Sequence, residues 1–102
     1  MADPTVVLAK ATGAGNSAEF TVSNVPLHVK AYPVANMAAE TGVLKEKNPD
    51  GTFDAVYLTD GTAIALGATL PSVLLNGGGP YRVEYAARTS AVGVTIQENK
   101  PR

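Results

Sequence analysis

The sequence predicts an all-β domain, a compact antiparallel β-sandwich or small β-barrel of about seven to eight short strands. Three observations predict it. Apolar residues recur with period two wherever they recur regularly. Turn-forming Gly, Pro, Asn and Asp punctuate the chain at short intervals. No stretch sustains a helical repeat for more than about one turn. The 102 residues show no internal repeat, linker or shift in composition, so residues 1–102 read as a single domain with a modest core. The ends, 1–4 and 98–102, read as extended arms.

The elements follow in chain order. Gly13-Ala14-Gly15-Asn16 separates the first two strands. Glu19-Phe20-Thr21-Val22-Ser23 alternates, Asn24-Val25-Pro26 turns, and Leu27-His28-Val29-Lys30-Ala31-Tyr32 alternates again. Pro33 to Gly42 is too short for a substantial helix, with at most one helical turn at Met37-Ala38-Ala39-Glu40, and reads as a connection crossing from one sheet to the other. Lys45-Glu46-Lys47 reads as a charged strand end at a sheet edge, where charge resists unwanted pairing. Asn48-Pro49-Asp50-Gly51 is the clearest hairpin signal, because proline presets φ for the second turn position and glycine accepts the left-handed site that follows.

Thr52 to Leu58 alternates and then runs apolar, and Asp60-Gly61 marks a further tight turn. Ala63-Ile64-Ala65-Leu66 and Leu70-Pro71-Ser72-Val73-Leu74-Leu75 are more apolar than one small core obviously needs. Two readings fit them, a subunit contact or fully buried strands. Asn76-Gly77-Gly78-Gly79 is a looser turn, which Pro80 terminates. Tyr81 to Tyr85 and Val92 to Ile96 then alternate as a closing hairpin. The expected inner face collects Phe20, Val22, Leu27, Val29, Tyr81, Val83, Val92, Val94 and Ile96, and Tyr85 shares the face of Tyr81 and Val83.

Composition narrows the function classes. The formal net charge is −1 and charged residues make up 17%, so no basic face is available for a phosphate backbone, and nucleic acid is not an expected partner. No apolar run approaches the ~20 residues of a spanning helix, and a membrane is not expected either. Met1-Ala2-Asp3-Pro4 lacks the basic and apolar regions of a secretory signal. With no cysteine, disulfides and thiolate metal sites are excluded, which fits synthesis in a cytoplasm.

No constellation for catalysis, metal or cofactor stands out. Asp50, Asp54 and Asp60 are of the type that holds Ca²⁺ in loops, but Asp50 and Asp60 precede glycine and suit turns, while Asp54 is an outward strand position. His28, the sole histidine, lies between Leu27 and Val29 and points away from the apolar face, without the partners of a nucleophilic triad. Gly13-Ala14-Gly15 lacks the third glycine and the helix of a dinucleotide site. Gly77-Gly78-Gly79-Pro80 leads into a strand, where a phosphate cradle needs a helix. The expectation is a non-enzymatic protein that binds or builds.

A resemblance gives that expectation a form. Ala11-Thr12-Gly13-Ala14-Gly15-Asn16, Phe20-Thr21-Val22, Asp60-Gly61-Thr62, Gly79-Pro80-Tyr81-Arg82-Val83 and Ala91-Val92-Gly93-Val94 together resemble the small virion proteins of tailed bacteriophages, the compact β-domains that decorate or stabilise capsids. The shared positions serve the fold, so the resemblance transfers no functional residue. It implies a structural protein on the capsid surface of the virion, made in the host cytoplasm. The implied partner is the major capsid protein, bridged between subunits, with self-association into homo-oligomers, trimers above all. Partner contacts are expected on the arms and loop tips: Asp3, Pro4, Val34, Asn36, Met37, Asn76, Gly78, Lys100, Pro101 and Arg102. The alternative is a tail or fibre-associated module that recognises host-surface glycan. Such a site needs exposed aromatic platforms, for which Tyr32, Tyr57, Tyr81 and Tyr85 are the candidates, although Tyr81 and Tyr85 fall on the expected core face.

Overall fold

A computed structural model describes residues 4–37, 40–58 and 60–99. The chain forms two antiparallel sheets packed face to face. Among the described residues the strand segments are β1 (Thr5–Ala11), β2 (Gly15–Asn16), β3 (Phe20–Val22), β4 (Leu27–Tyr32), β5 (Gly42–Lys47), β6 (Phe53–Ala55), β7 (Ala65–Leu66), β8 (Ser72–Leu75), β9 (Gly78–Tyr85) and β10 (Val92–Glu98), ten in all. A 3₁₀ turn, Val34–Asn36, follows β4. The first sheet has the order β1-β10-β4-β8. In the second, β9 and β5 lie at the centre.

The ten segments occupy eight strand positions. β2 and β3 both pair with the same side of β9, through Gly15↔Tyr85 and Phe20↔Tyr81. Likewise β6 and β7 both pair with one side of β5, through Lys45↔Ala55 and Gly42↔Leu66. Each pair of segments is one broken edge strand, and the result is a four-on-four sandwich.

The break between β2 and β3 is repaired by a side chain. Ser17 is buried. Its N–H donates to the Val83 carbonyl at 2.8 Å, and its Oγ accepts the Val83 N–H at 2.9 Å. The hydroxyl thus takes the place of the carbonyl that a continuous strand would have offered, so β9 keeps its ladder where its neighbour is broken.

The core lies where the period-two pattern places it. Phe20, Val22, Leu27, Val29, Tyr81, Val83, Tyr85, Val92 and Val94 are buried, joined by Ala31, Leu44, Ile64, Leu66 and Leu75, with Ile96 packed against them at the margin. The apolar stretches 63–66 and 70–75 mostly enter this core: Ile64, Leu66 and Leu75 are buried, and Leu70 and Val73 pack against it. Leu74 faces outward and is 45% exposed.

Tyr85 ties three strands. Its ring covers Gly42 on β5 so closely that a Cβ there would come within 2.4 Å of it, and its hydroxyl donates to the Leu66 carbonyl on β7 at 3.2 Å. The contact needs a glycine at 42.

Three expectations change. The last two strands are not a hairpin: β9 lies in the second sheet and β10 in the first, between β1 and β4. Alternation puts one apolar face on each strand, and a hairpin or two facing sheets satisfies it equally well. Lys45-Glu46-Lys47 is not an edge, since β5 is paired on both sides; the charges at Lys45 and Lys47 mark the solvent face of an interior strand. Pro80 does not end a turn but sits inside β9, opposite a register shift in β3 between Phe20 and Val22, where a missing N–H interrupts no regular ladder. The crossing expected over Pro33 to Gly42 is present, because β4 and β5 belong to different sheets. Its helical turn falls at Val34–Asn36; Ala38 and Ala39 lie outside the described residues.

Candidate interaction surfaces

Two tight turns use acidic residues. At the β5–β6 hairpin, the Gly51 N–H donates to the Asn48 carbonyl at 2.9 Å and Gly51 has φ +92°. Asp50 Oδ1 accepts the Thr52 N–H at 3.0 Å and the Thr52 hydroxyl at 2.6 Å. The 58–62 turn repeats the arrangement: the Gly61 N–H donates to the Leu58 carbonyl, Gly61 has φ +89°, and Asp60 Oδ1 accepts the Thr62 N–H at 2.9 Å. Asp-Gly-Thr is therefore used twice as one turn device, with aspartate caging the next but one N–H. Bonds from the Thr52 side chain and N–H lower the Asp50 pKa, and those from the Thr62 N–H and side chain lower that of Asp60. Asp54 is exposed and accepts from Asn48 Nδ2 at 2.8 Å. Asp50 and Asp60 are turn residues, as their glycine neighbours suggested.

The outer face of the second sheet carries a charge ladder. Glu84 accepts from Lys45 Nζ at 3.0 Å and from Arg82 Nε at 2.6 Å, and the Arg82 guanidinium lies 3.9 Å over the Phe53 ring. Burial works against the Glu84 carboxylate, yet the bonds and charges of Lys45 and Arg82 outweigh it and hold its pKa below the ordinary value. A cleft of about 500 Å³ opens beside this ladder, lined in part by Glu40, Thr41, Lys45 and Glu84. Glu40 accepts the Thr89 N–H at 3.2 Å. The charged groups of the cleft are thus held by neighbours.

The outer face of the first sheet is different. His28 and Tyr32 are half-buried there and Lys30 is exposed. Two shallow depressions meet at His28 and Gln97. One, of about 440 Å³, is bounded by Leu74, Glu98 and Asn99; the other, of about 330 Å³, by Pro4, Lys30, Tyr32 and Thr95. His28 does lie on the outward side of its strand.

The expected contact residues separate into two groups. β8 runs antiparallel to β4, with Leu27 opposite Leu75 and Lys30 opposite Ser72. The loop after β4 and the loop after β8 therefore leave from opposite ends of the sandwich. Val34 is exposed at one end. Asn36 and Met37 beside it are half-buried and tied down: Asn36 Nδ2 donates to the Ala91 carbonyl at 2.9 Å, and Met37 packs against the core. Asn76 and Gly78 are exposed at the other end, and Pro4 lies toward it beside His28. Asp3, Lys100, Pro101 and Arg102 lie outside the described residues. Glu98 and Asn99 do not form a free arm: Glu98 pairs with Leu27, and the Asn99 N–H donates to the Pro26 carbonyl.

Sequence reasoning missed two residues that organise these ends. Arg88 is buried at 7% exposure. Its guanidinium donates to the carbonyls of Gly13 and Val92 at 2.7 Å each and reaches that of Ala9 at 3.3 Å. It fastens the 86–91 crossing to β10 and to the loop after β1. At the other end Glu46 Oε2 accepts the Gly79 N–H at 2.9 Å, and the Tyr81 hydroxyl donates to the Gly77 carbonyl at 2.6 Å. Gly78 and Gly79 have φ +94° and +114°, and a Cβ on Gly78 would approach the Tyr81 hydroxyl to 2.6 Å. The glycine run is thus a fitted crossover between sheets. Neither residue carries a sequence signal, because a lone arginine in a loop or a lone glutamate on a half-exposed strand reads as surface.

Comparison with protein-family models, with curated proteins and with solved structures finds no match to this chain.

Proposed function

We propose that the protein is a non-enzymatic structural component of a phage virion, which decorates or cements the capsid by bridging neighbouring major capsid protein subunits. One observation carries the reading: exposed residues expected to meet a partner sit at opposite ends of a body measuring 35 × 35 × 26 Å, Val34 at one and Asn76 with Gly78 at the other. A rigid block with contacts at both ends suits bridging, and many copies engaging a lattice at once raise avidity beyond any single contact. The anchored crossovers favour the role further, since Arg88 and Glu46 fix the geometry of the tips before binding. The test adds purified protein to phage capsids that lack it and measures both co-sedimentation and the temperature at which the shells open. Binding with a raised opening temperature is expected; no binding and unchanged heat resistance defeat the proposal.

A second reading is supported by Tyr57, which is 64% exposed and offers a bare aromatic surface of the kind that stacks on sugar rings. Tyr81 and Tyr85 are core residues and do not contribute. A glycan array probed with wild type and Tyr57→Ala decides it: a signal lost in the variant supports recognition, and a blank array removes it.

A further inference from the structure

Among the described residues the sandwich has four edges, and three are blocked. β1 is irregular, with register shifts between Val6 and Leu8 and between Leu8 and Ala11, and its Val7 and Ala9 carbonyls already accept from the Ala18 N–H and from Arg88. The β2/β3 edge is broken at Ser17 and flanked by Glu19, which reaches Lys47. The β6/β7 edge is broken over residues 56–64 and carries Asp54. Breaks, bulges and charges are the devices by which edges refuse a further strand.

β8 is short and follows Pro71, but it carries no break, bulge or charge. Ser72-Val73-Leu74-Leu75 is uncharged, and its four residues pair with Leu27–Lys30 of β4 without a register shift. Among the described residues no strand lies on its other side. Leu75 is buried and Val73 packs on the core, while Leu74 projects from the outer face at 45% exposure.

We infer that β8 is a dimerisation edge, which pairs antiparallel with β8 of a second copy across a two-fold axis at Leu74. The occupant follows from the other edges. The blocked β1 rules out head-to-tail addition of the same sheet, so only an isologous contact continues it. The register is self-complementary. With Leu74 opposite its own copy, Val73 meets Leu75 on the inner face and Ser72 meets Asn76. No charged side chain faces a like charge across the axis, because the nearest, Lys30, lies on the next strand in. The first sheet becomes eight strands wide, and the two exposed leucines pack side by side on its outer face. The inference does not depend on the virion reading, and the pair it describes differs from the trimers that the resemblance implies.

The absence of cysteine from the chain makes the test clean. Residues opposite one another in an antiparallel pair have Cα atoms about 4.5–5.5 Å apart, within the span a disulfide accepts. Leu74→Cys under mild oxidation is expected to give a covalent dimer, and Val6→Cys on the blocked edge to stay monomeric. Light scattering of the wild type is expected to give twice the mass of the chain, and Leu74→Lys to halve it with an unchanged far-ultraviolet circular dichroism spectrum. A wild type that is monomeric at every accessible concentration overturns the inference. So does a dimer that survives Leu74→Lys, or a Leu74→Cys variant that cross-links no faster than Val6→Cys.

Discussion

Replacing Arg88 with alanine tests the account of the crossovers most directly. The side chain makes two short bonds, to the Val92 and Gly13 carbonyls, and one long contact to Ala9. The Val92 bond is buried, and an orphaned buried acceptor costs about 1–3 kcal/mol. Gly13 is exposed, so water replaces that bond and the loss is about 0.5–1.5 kcal/mol. The Ala9 contact exceeds the usual N–H···O range and adds little. Lost packing of the aliphatic stem adds roughly 1 kcal/mol.

The sum, about 4 kcal/mol at the middle of these ranges, is a large part of the 5–15 kcal/mol typical of a domain. It corresponds to a melting point lower by roughly 16–32 °C at this size. Thermal and urea unfolding of Arg88→Ala, with Arg88→Met to restore the stem without the donors, measure it. The methionine variant is expected to recover the packing share only. An alanine variant that melts within ~4 °C of wild type, equivalent to under about 1 kcal/mol, refutes the claim that carbonyl capture by Arg88 holds the end of the sandwich.

Two further outcomes follow from the sheets. Ser17→Ala removes the acceptor of the Val83 N–H and is expected to cost about 1–3 kcal/mol in urea denaturation with an unchanged m-value; Ser17→Thr keeps the hydroxyl and retains part of it. The Glu84 pKa is lowered in the folded state from 4.5, so the folded chain binds fewer protons than the unfolded one near that pH. Its contribution is complete above 4.5 and is lost as pH falls through the lower folded value. Glu84→Gln is therefore expected to flatten the acid limb of the stability–pH curve while leaving its shape above neutrality alone.

Most of the core was legible because burial and period-two alternation are the same signal. Phe20, Val22, Val29, Val83 and Val94 could be placed from the residues on either side of them. Asp50-Gly51 and Asp60-Gly61 were legible because a positive φ demands glycine. What alternation cannot encode is which strand lies beside which. The 86–91 loop holds Arg88, whose partners are 4 to 79 residues away in sequence, so nothing local says that β9 and β10 part company there. Ser17 likewise mends a ladder whose other half lies 66 residues on. For the interaction surfaces, exposure at Val34, Asn76 and Gly78 was readable from turn chemistry. The contrast between β8 and the other edges appears only when all four are seen together.

The place of β10 between β1 and β4 has a bearing on when the molecule can form. The strand that completes the first sheet follows the others in chain order, and β1 has no other neighbour in that sheet. Pairing Thr5 with Ile96 closes a loop of nearly the whole domain, the kind of distant contact that slows folding. Until that pairing forms, β1 lacks its sheet neighbour and β4 has one side unpaired, the condition under which incompletely folded chains stick to one another. Closure of the first sheet thus depends on its most distant pairing in sequence.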